Sequence, residues 1–405
     1  TGVILILIPV VALTVFTFRR FNLSPELEYS IENSIEINNT TGGGDSLNII
    51  KCNEWLGSNH TVECITNLYY KKIELNNGKT FQDINNLVVF NDNTFVLESR
   101  GLVYNLTKKT EFLNINKLVN SREGLSGEHG LWDIAFHPSE KYFLITYSDT
   151  ENNYVISKYF YENLDSVFEQ TPEIMVKIPN TIEKHYSGSL IYSKFFEDFL
   201  YSVGDMNENQ YAEINPNPVD TSSNKGKILF LNNKNSKPKK ITSEINNEAR
   251  NDLLAFGLRN PWQIYEYNNY LIVPDIGRVY IEELNLVDLN LFKDSYEPYL
   301  FGWPYFEGNL ENEIPFDGVE LWDSSEISAR EYIINQSLEP VLYYDHDSPD
   351  VFRAAIIFGG VIQNKNNPYY ESLVFADYNS REIFLYKMNE NILTIANLPN
   401  EIINE

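Results

Sequence analysis

Short, mostly apolar and aromatic runs recur from about residue 81 to the end of this chain. Typical runs are Leu87–Phe90, Thr94–Glu98 and Leu131–Phe136. Further runs follow at a spacing of roughly eight to twelve residues, and few helical patterns interrupt them. Short apolar runs separated by turn residues are typical of β-strands. The pattern therefore predicts an all-β fold, either a sandwich, a barrel or a propeller.

A loose internal repeat favours the propeller. Each unit has an apolar run, a polar turn and a second apolar run that ends in an acidic or small residue. Units of this form span residues 134–149, 190–205, 263–275 and 361–377. Recurrence every roughly 50–80 residues suits blades around a central channel. The repeat is too degenerate to give the number of blades.

One of these hairpins carries a candidate site. His185 precedes the first strand, residues 188–192, and Asp205 follows the second strand, residues 199–203. Both residues therefore flank the open end of the hairpin and can face one cavity. Histidine accepts a proton near neutral pH, and a neighbouring carboxylate can orient it. The pair indicates proton transfer, and a histidine satisfied by local hydrogen bonds is the simpler alternative.

The first 80 residues have a different texture. Residues 2–18 are uncharged and largely apolar, and Arg19 and Arg20 follow them. This length is at the lower limit for a membrane helix, and no small-residue cleavage site follows. We therefore predict that residues 1–20 form a transmembrane anchor, or else a signal segment, and we expect the propeller to lie outside the cytoplasm. The orientation stays open because the chain begins with Thr and its preceding flank is not seen.

Residues 21–80 are predicted to be a spacer with a small segment that carries both cysteines. Cys52 and Cys64 form neither a redox pair nor a zinc framework, so we expect a local disulfide, with two free thiols as the alternative. The propeller is then expected over residues 81–405.

Composition excludes several classes of protein. The 405 residues are 43% hydrophobic, enough for a large core, and the net charge is −26. Nucleic-acid binding is not expected, because contacts to phosphate need basic patches. The chain also lacks the nucleophile-elbow, phosphate-loop, zinc-protease and dinucleotide-binding motifs.

Five segments, in the same order, resemble motifs of one enzyme family. The first ends in the sequence Ala-Phe-His-Pro, and the second is the His185 hairpin with its Gly-Asp end. The others contain Arg-Asn-Pro, then Asp-Ile-Gly with Gly-Trp-Pro, then Phe-Gly-Gly with a last strand. They are residues 127–138, 185–205, 257–263, 275–304 and 358–377. This set resembles the glucose/sorbosone dehydrogenase family, which includes the soluble pyrroloquinoline-quinone (PQQ) sugar dehydrogenases, and hedgehog-interacting proteins are similar to it.

The resemblance covers about residues 81–400 and implies a six-bladed β-propeller that oxidises a sugar or related alcohol. It implies that His185 is the general base for hydride transfer to PQQ, with Asp205 as its acidic partner. Electrons would then pass to an external acceptor. PQQ carries three carboxylates, and arginine binds carboxylates through forked hydrogen bonds. The resemblance accordingly assigns Arg259, Asn260 and Arg381 to the cofactor and implies that Glu128 faces it. A turn arginine paired with a carboxylate is the alternative for Arg259, and an exposed arginine in a hairpin turn is the alternative for Arg381.

The resemblance also implies a calcium ion that polarises the quinone. In the family the ion is held largely by backbone oxygens of the loop that matches Asp275, Ile276 and Gly277. Carbonyl and carboxylate oxygens suit this hard cation.

The chain departs from the family at three places. Ser189 stands where the histidine motif usually has arginine, and Phe358 stands where glucose dehydrogenases place a PQQ-binding lysine. The chain also ends soon after Ile395, before the strand that normally closes the last blade, so a truncation is expected. The two missing cations keep an alternative open, a non-catalytic propeller that binds a ligand or protein at the cell surface. An acidic surface domain without a polar site is a third alternative.

Overall fold

The structure is a computed structural model. It describes residues 4–9, 14–15, 18–19, 57–65, 68–73, 81, 83–120, 128–167, 171–181, 184–206, 218–232, 252–311, 333, 335–347 and 351–397.

The elements are almost all short strands. Before residue 81 these are β1 (Ile4–Pro9), β2 (Thr14–Val15), β3 (Phe18–Arg19), β4 (Thr61–Ile65) and β5 (Leu68–Ile73). Those that follow are β6 (Ile84–Phe90), β7 (Asn93–Glu98), β8 (Leu102–Asn105), β9 (Thr110–Asn114), β10 (Leu131–Phe136), β11 (Tyr142–Ser148), β12 (Tyr154–Phe160), β13 (Glu173–Ile178), β14 (Ser187–Ser193), β15 (Asp198–Val203), β16 (Lys227–Phe230), β17 (Leu253–Phe256), β18 (Tyr265–Tyr267), β19 (Tyr270–Asp275), β20 (Ile281–Asp288), α1 (Leu289–Ser295), β21 (Tyr299–Leu300), β22 (Phe306–Glu307), β23 (Leu310–Glu311), β24 (Leu342–Asp345), β25 (Ile356–Val361), β26 (Leu373–Asp377), β27 (Glu382–Lys387) and β28 (Ile392–Asn397).

Five sheets of four or five strands form the blades of a propeller. Their strand orders are β3-β6-β7-β8-β9, β10-β11-β12-β13, β14-β15-β16-β17-β21, β18-β19-β20-β24 and β25-β26-β27-β28-β4. The prediction of an all-β propeller is confirmed. The described residues form five blades, whereas six were expected. The degenerate repeat gave no independent count, so the expected number came from the family resemblance alone.

The core lies between neighbouring blades. In the third blade Leu190 packs toward the second blade, whereas the next residue, Ile191, packs toward the fourth. Successive side chains of a strand point to opposite faces, so both faces of a blade are covered. This explains why all six residues of β10 and all six of β15 are buried. Each large apolar side chain buried in this way stabilises the fold by about 1.5–3 kcal/mol.

The N-terminal residues do not form the predicted helix where the structure describes them. β1 pairs with β5, and β3 pairs with β6 of the first blade. Within the described residues, no helix is long and apolar enough to cross a membrane. The predicted transmembrane helix is therefore not confirmed, and apolar residues expected in lipid lie in strands. Membrane anchoring and an extracytoplasmic location stay predictions.

The segment before residue 81 and the last blade are linked by one strand pairing. β4, before residue 81, adds a parallel fifth strand to the last blade beside β28. That blade also has four antiparallel strands, β25 to β28. The expected spacer and the expected truncation stay predictions. The proposed pairing of Cys52 with Cys64 lies outside the described residues.

Candidate active site

The candidate site lies at one end of the propeller, which we call the upper face. The connections after β15 and β19, which are the second strands of their blades, meet there. Main-chain hydrogen bonds join the segment that links two blades to the loops on either side of it. Asp205 N donates to Arg259 O at 2.7 Å, and Ile276 N donates to Asn260 O at 3.3 Å. Residues far apart in sequence are thus held in one layer.

His185 is fixed by a tight main-chain approach. Its φ is +50°, in the left-handed region that non-glycine residues seldom adopt. A Cβ atom on Gly204 would lie 2.0 Å from the His185 carbonyl oxygen, so only glycine fits beside it. The His185 N–H also donates to Glu128 Oε2. Glu128, predicted to face the cofactor, thereby positions the histidine main chain.

His185 and Asp205 form a hydrogen-bonded pair. His185 Nδ1 lies 2.7 Å from Asp205 Oδ1, and the Trp303 indole N–H donates to Asp205 Oδ2 at 2.9 Å. Burial alone would raise the pKa of Asp205, but the His185 ring, the Arg259 charge and the Trp303 hydrogen bond together hold that pKa below its ordinary value. Asp205 is therefore ionised at neutral pH.

These contacts determine the tautomer of His185. An ionised carboxylate only accepts hydrogen bonds, so Nδ1 carries the proton that is shared with Asp205. Arg259 Nη2 lies 3.1 Å from His185 Nε2, and arginine only donates. In the neutral ring, Nε2 is therefore the unprotonated nitrogen and accepts from Arg259. The arrangement leaves a basic nitrogen directed away from Asp205, as a general base requires.

Arg259 is the centre of the cluster. Its Nη1 donates to Ile276 O at 2.9 Å and to Gly277 O at 2.6 Å. Its Cζ lies 5.6 Å from the centroid of the Trp303 ring, within the range of a cation–π contact. One guanidinium thus contacts the predicted base, the predicted calcium loop and an aromatic ring.

The predicted calcium donors are all occupied by protein groups. Asp275 accepts the main-chain N–H of Arg259 at 2.8 Å and of Asn260 at 2.7 Å. Burial, and next the Glu283 charge, raises the pKa of Asp275 well above its ordinary value. The carbonyls of Ile276 and Gly277 accept from Arg259. Among the described residues, no group of three or more His, Cys, Asp or Glu side chains can hold a metal. These residues do not fit a calcium ion as they stand.

Two predicted cofactor residues have different environments. Asn260 is buried, and its side-chain oxygen accepts from the Ser187 hydroxyl at 2.9 Å, so it lies inside the cluster. Arg381 is exposed in the turn between β26 and β27, with φ at +60° and its N–H donating to Asp377 O. The structure therefore groups Asn260 with His185 and places Arg381 in a turn of the last blade.

Sequence reasoning missed three residues at this end. Trp303 is in the Gly-Trp-Pro motif, which was the available signal, but its contact with Asp205 spans 98 residues. Burial lowers the pKa of Lys225, although the nearby Asp205 charge opposes this shift. Arg278 follows Gly277, and its Nε is buried without a hydrogen-bond partner in the described part of the chain. No sequence motif distinguishes Lys225 or Arg278 from other surface cations.

Comparison with known proteins identifies the family. The profile of the glucose/sorbosone dehydrogenases matches residues 84–363, well over half of the chain. This protein is a member of the glucose/sorbosone dehydrogenase family. A search of curated protein sequences finds no match.

Solved structures agree on the fold. A PQQ-bound aldose sugar dehydrogenase from Streptomyces coelicolor is 14% identical, with 76% of this chain and 78% of that chain covered and a TM-score of 0.51. A putative oxidoreductase (glucose dehydrogenase) from Thermus thermophilus is 15% identical, with coverage of 76% and 79% and a TM-score of 0.51. A further glucose dehydrogenase is 12% identical, with coverage of 77% and 85% and a TM-score of 0.53.

Proposed function

We propose that this protein oxidises an aldose sugar or related alcohol by hydride transfer to bound PQQ, with His185 as the general base. Membership of the family supports sugar oxidation in general. The observation that carries the finer proposal is the fixed orientation of His185. Its Nδ1 is bonded to the buried Asp205, and its unprotonated Nε2 is directed into the cluster.

The cations near this base fit an acidic cofactor. Arg259 contacts His185 directly, Lys225 is close enough to feel the Asp205 charge, and Arg278 lies in the turn that Arg259 contacts. Neither Lys225 nor Arg278 forms an ion pair with a carboxylate among the described residues. Arg259, Lys225 and Arg278 lie on neighbouring segments of a chain whose net charge is −26. They match the three carboxylates of PQQ by charge.

The residues of this chain then have separate tasks. When bound, PQQ supplies a quinone that accepts the hydride from the substrate carbon. His185 Nε2 takes the hydroxyl proton, so the alcohol loses one hydride and one proton and becomes a carbonyl compound. Asp205 holds the ring and stabilises its charged form. Arg259 Nη2 has to give up its contact with Nε2 before the substrate hydroxyl can approach, and Arg259 Nη1 can stay on the Ile276 and Gly277 carbonyls. An external acceptor removes the electrons afterwards.

A non-catalytic ligand-binding propeller is the second candidate. Ser189 and Phe358 stand where the family has cations, and both are buried parts of the fold. Ser189 Oγ accepts the Ile264 N–H at 2.9 Å, and Phe358 packs between the last two blades. This observation favours a site with fewer anion contacts than a sugar dehydrogenase usually has.

The test is a calorimetric titration of PQQ into the purified protein, with and without calcium. Arg259→Ala removes the central cation, and Lys293→Ala, on α1, is the matched control that removes a charge elsewhere. We expect saturable binding in the wild type and the control and at least a tenfold loss of affinity in Arg259→Ala. Absence of binding in folded wild-type protein contradicts the enzyme proposal and favours the second candidate.

A further inference from the structure

We infer that the Arg259 guanidinium takes the place of the calcium ion at this site, so the chain supplies the fixed positive charge from its own side chain. The inference concerns the site of the proposed function, but it does not require PQQ or a sugar. It changes what the Asp275–Gly277 loop does, from holding a metal to holding an arginine.

Two main-chain carbonyls converge on one nitrogen of Arg259. Ile276 O and Gly277 O belong to consecutive residues, yet both accept from Arg259 Nη1, at 2.9 and 2.6 Å. Main-chain carbonyls that converge on one point are typical ligands of a hard cation. The loop is tightly constrained, because a Cβ atom on Gly277 would lie 1.7 Å from Ile281 O. The loop thus has a cation position, and the guanidinium nitrogen occupies it.

The Asp275 carboxylate, the other predicted calcium ligand, already accepts two hydrogen bonds. The two oxygens of Asp275 accept main-chain N–H groups of Arg259 and Asn260 at 2.8 and 2.7 Å. Calcium takes six to eight oxygen ligands. A calcium ion here would have only two carbonyls and one carboxylate as ligands, and that carboxylate already binds the main chain. The guanidinium is in direct contact with the same two carbonyls. The donor set suits a monovalent planar cation better than a divalent ion.

Arg259 is held through both its main chain and its side chain. Its main-chain N–H and C=O are fixed by Asp275 and by Asp205 N, respectively. Its side chain is bounded by the Trp303 ring and by His185 Nε2. An arginine restrained at so many points loses little further entropy on staying in place. The charge is therefore a built-in part of the site.

Terbium luminescence tests the inference without any cofactor. Tb³⁺ replaces Ca²⁺ at oxygen sites, and a nearby indole sensitises its emission. The Trp303 ring lies beside the guanidinium, so an ion at that position would be sensitised by Trp303. The chain has five tryptophans, so each titration is compared with the same protein carrying Trp303→Phe. Addition of Ca²⁺ then shows whether the emitting site is a calcium site.

A Tb³⁺ ion at the calcium position would give emission that Ca²⁺ competes away and that is lost in Trp303→Phe. In the wild type we expect no such emission. In Arg259→Ala the two carbonyls are released, and we expect such a site to appear, with at least tenfold tighter Tb³⁺ binding than in the wild type. Trp303-dependent emission in the wild type overturns the inference, and so does its absence in folded Arg259→Ala. If Arg259→Ala does not fold, Arg259→Gln serves instead and is expected to give the same gain. Neither result affects the PQQ titration, so the two proposals fail separately.

Discussion

Asp205→Asn is the most informative single change, because one carboxylate accepts from two donors. In the wild type His185 Nδ1 and Trp303 Nε1 donate to different oxygens of Asp205, at 2.7 and 2.9 Å. An amide has one oxygen and one NH₂ group, so it accepts from only one of them. If the amide oxygen keeps Trp303, the NH₂ group faces Nδ1, and His185 has to move its proton to Nε2. That proton would then point at the guanidinium of Arg259.

These contacts set the expected losses of stability and turnover in Asp205→Asn. One buried donor or the Arg259 contact is left unsatisfied, which costs about 1–3 kcal/mol of stability. Loss of the correct tautomer in a histidine–carboxylate pair typically reduces turnover by on the order of 10³–10⁴-fold. The lowered pKa of Asp205 means that its ionised form stabilises the fold above the unfolded value near pH 4, and this stability is lost as the pH falls through the lowered pKa. The Asn variant should lack that acid-side loss.

The assay is nitrogen-15 NMR of labelled histidine, which reports which ring nitrogen carries the proton. Only five histidines are present, so the His185 signals can be assigned with a His185→Gln sample. We expect a proton at Nδ1 in the wild type and at Nε2 in Asp205→Asn, and dye-linked turnover should fall together with this change. An unchanged tautomer with undiminished turnover would refute the proposed roles of both residues.

Three further predictions concern a buried carboxylate in the last blade, a glycine beside His185 and two cations near the site. Burial, and next the Glu282 charge, raises the pKa of Asp377 to about 6, although main-chain hydrogen bonds to its carboxylate oppose this shift. Stability should therefore fall by about 2 kcal/mol from pH 4 to pH 7, and denaturant unfolding of Asp377→Asn should show a flatter profile. Gly204→Ala should displace His185 and lower both the melting temperature and turnover, since its Cβ would lie 2.0 Å from the His185 carbonyl oxygen. Lys225→Ala and Arg278→Ala should each weaken PQQ binding several-fold in calorimetry with an unchanged melting temperature, whereas equal affinity would exclude that residue from the cofactor site.

Much of the fold was predictable because local pattern governs strands. Inner strands such as β10 and β15 are buried on both faces, and their short apolar runs are visible in the sequence. The pairing of His185 with Asp205 was predictable as well, since a hairpin brings its open ends together. The number of blades was not, because a degenerate repeat contains no signal for closure. The apolar run at residues 2–18 suggested a helix, but hydrophobicity alone does not distinguish a helix from a strand.

The arrangement around Arg259 was beyond sequence reasoning. The motif indicated an arginine near the cofactor, and the loop of Asp275 indicated a cation site. The position of the Arg259 guanidinium in the cation site of that loop depends on the conformation of one side chain. The contribution of Trp303 was equally hidden, because its contact with Asp205 joins residues 98 positions apart. Long-range contacts between blades have no local signature.

Anaerobic mixing of the PQQ-loaded protein with a panel of aldoses tests the central claim most directly. The quinone absorbance is followed in the wild type and in His185→Gln, which keeps the cofactor contacts but lacks the base. We predict that at least one sugar bleaches the quinone spectrum in the wild type, and that the rate falls at least a hundredfold in the variant, as about 10²–10⁴-fold is typical for loss of a general base. Equal rates in the two proteins would contradict the role given to His185.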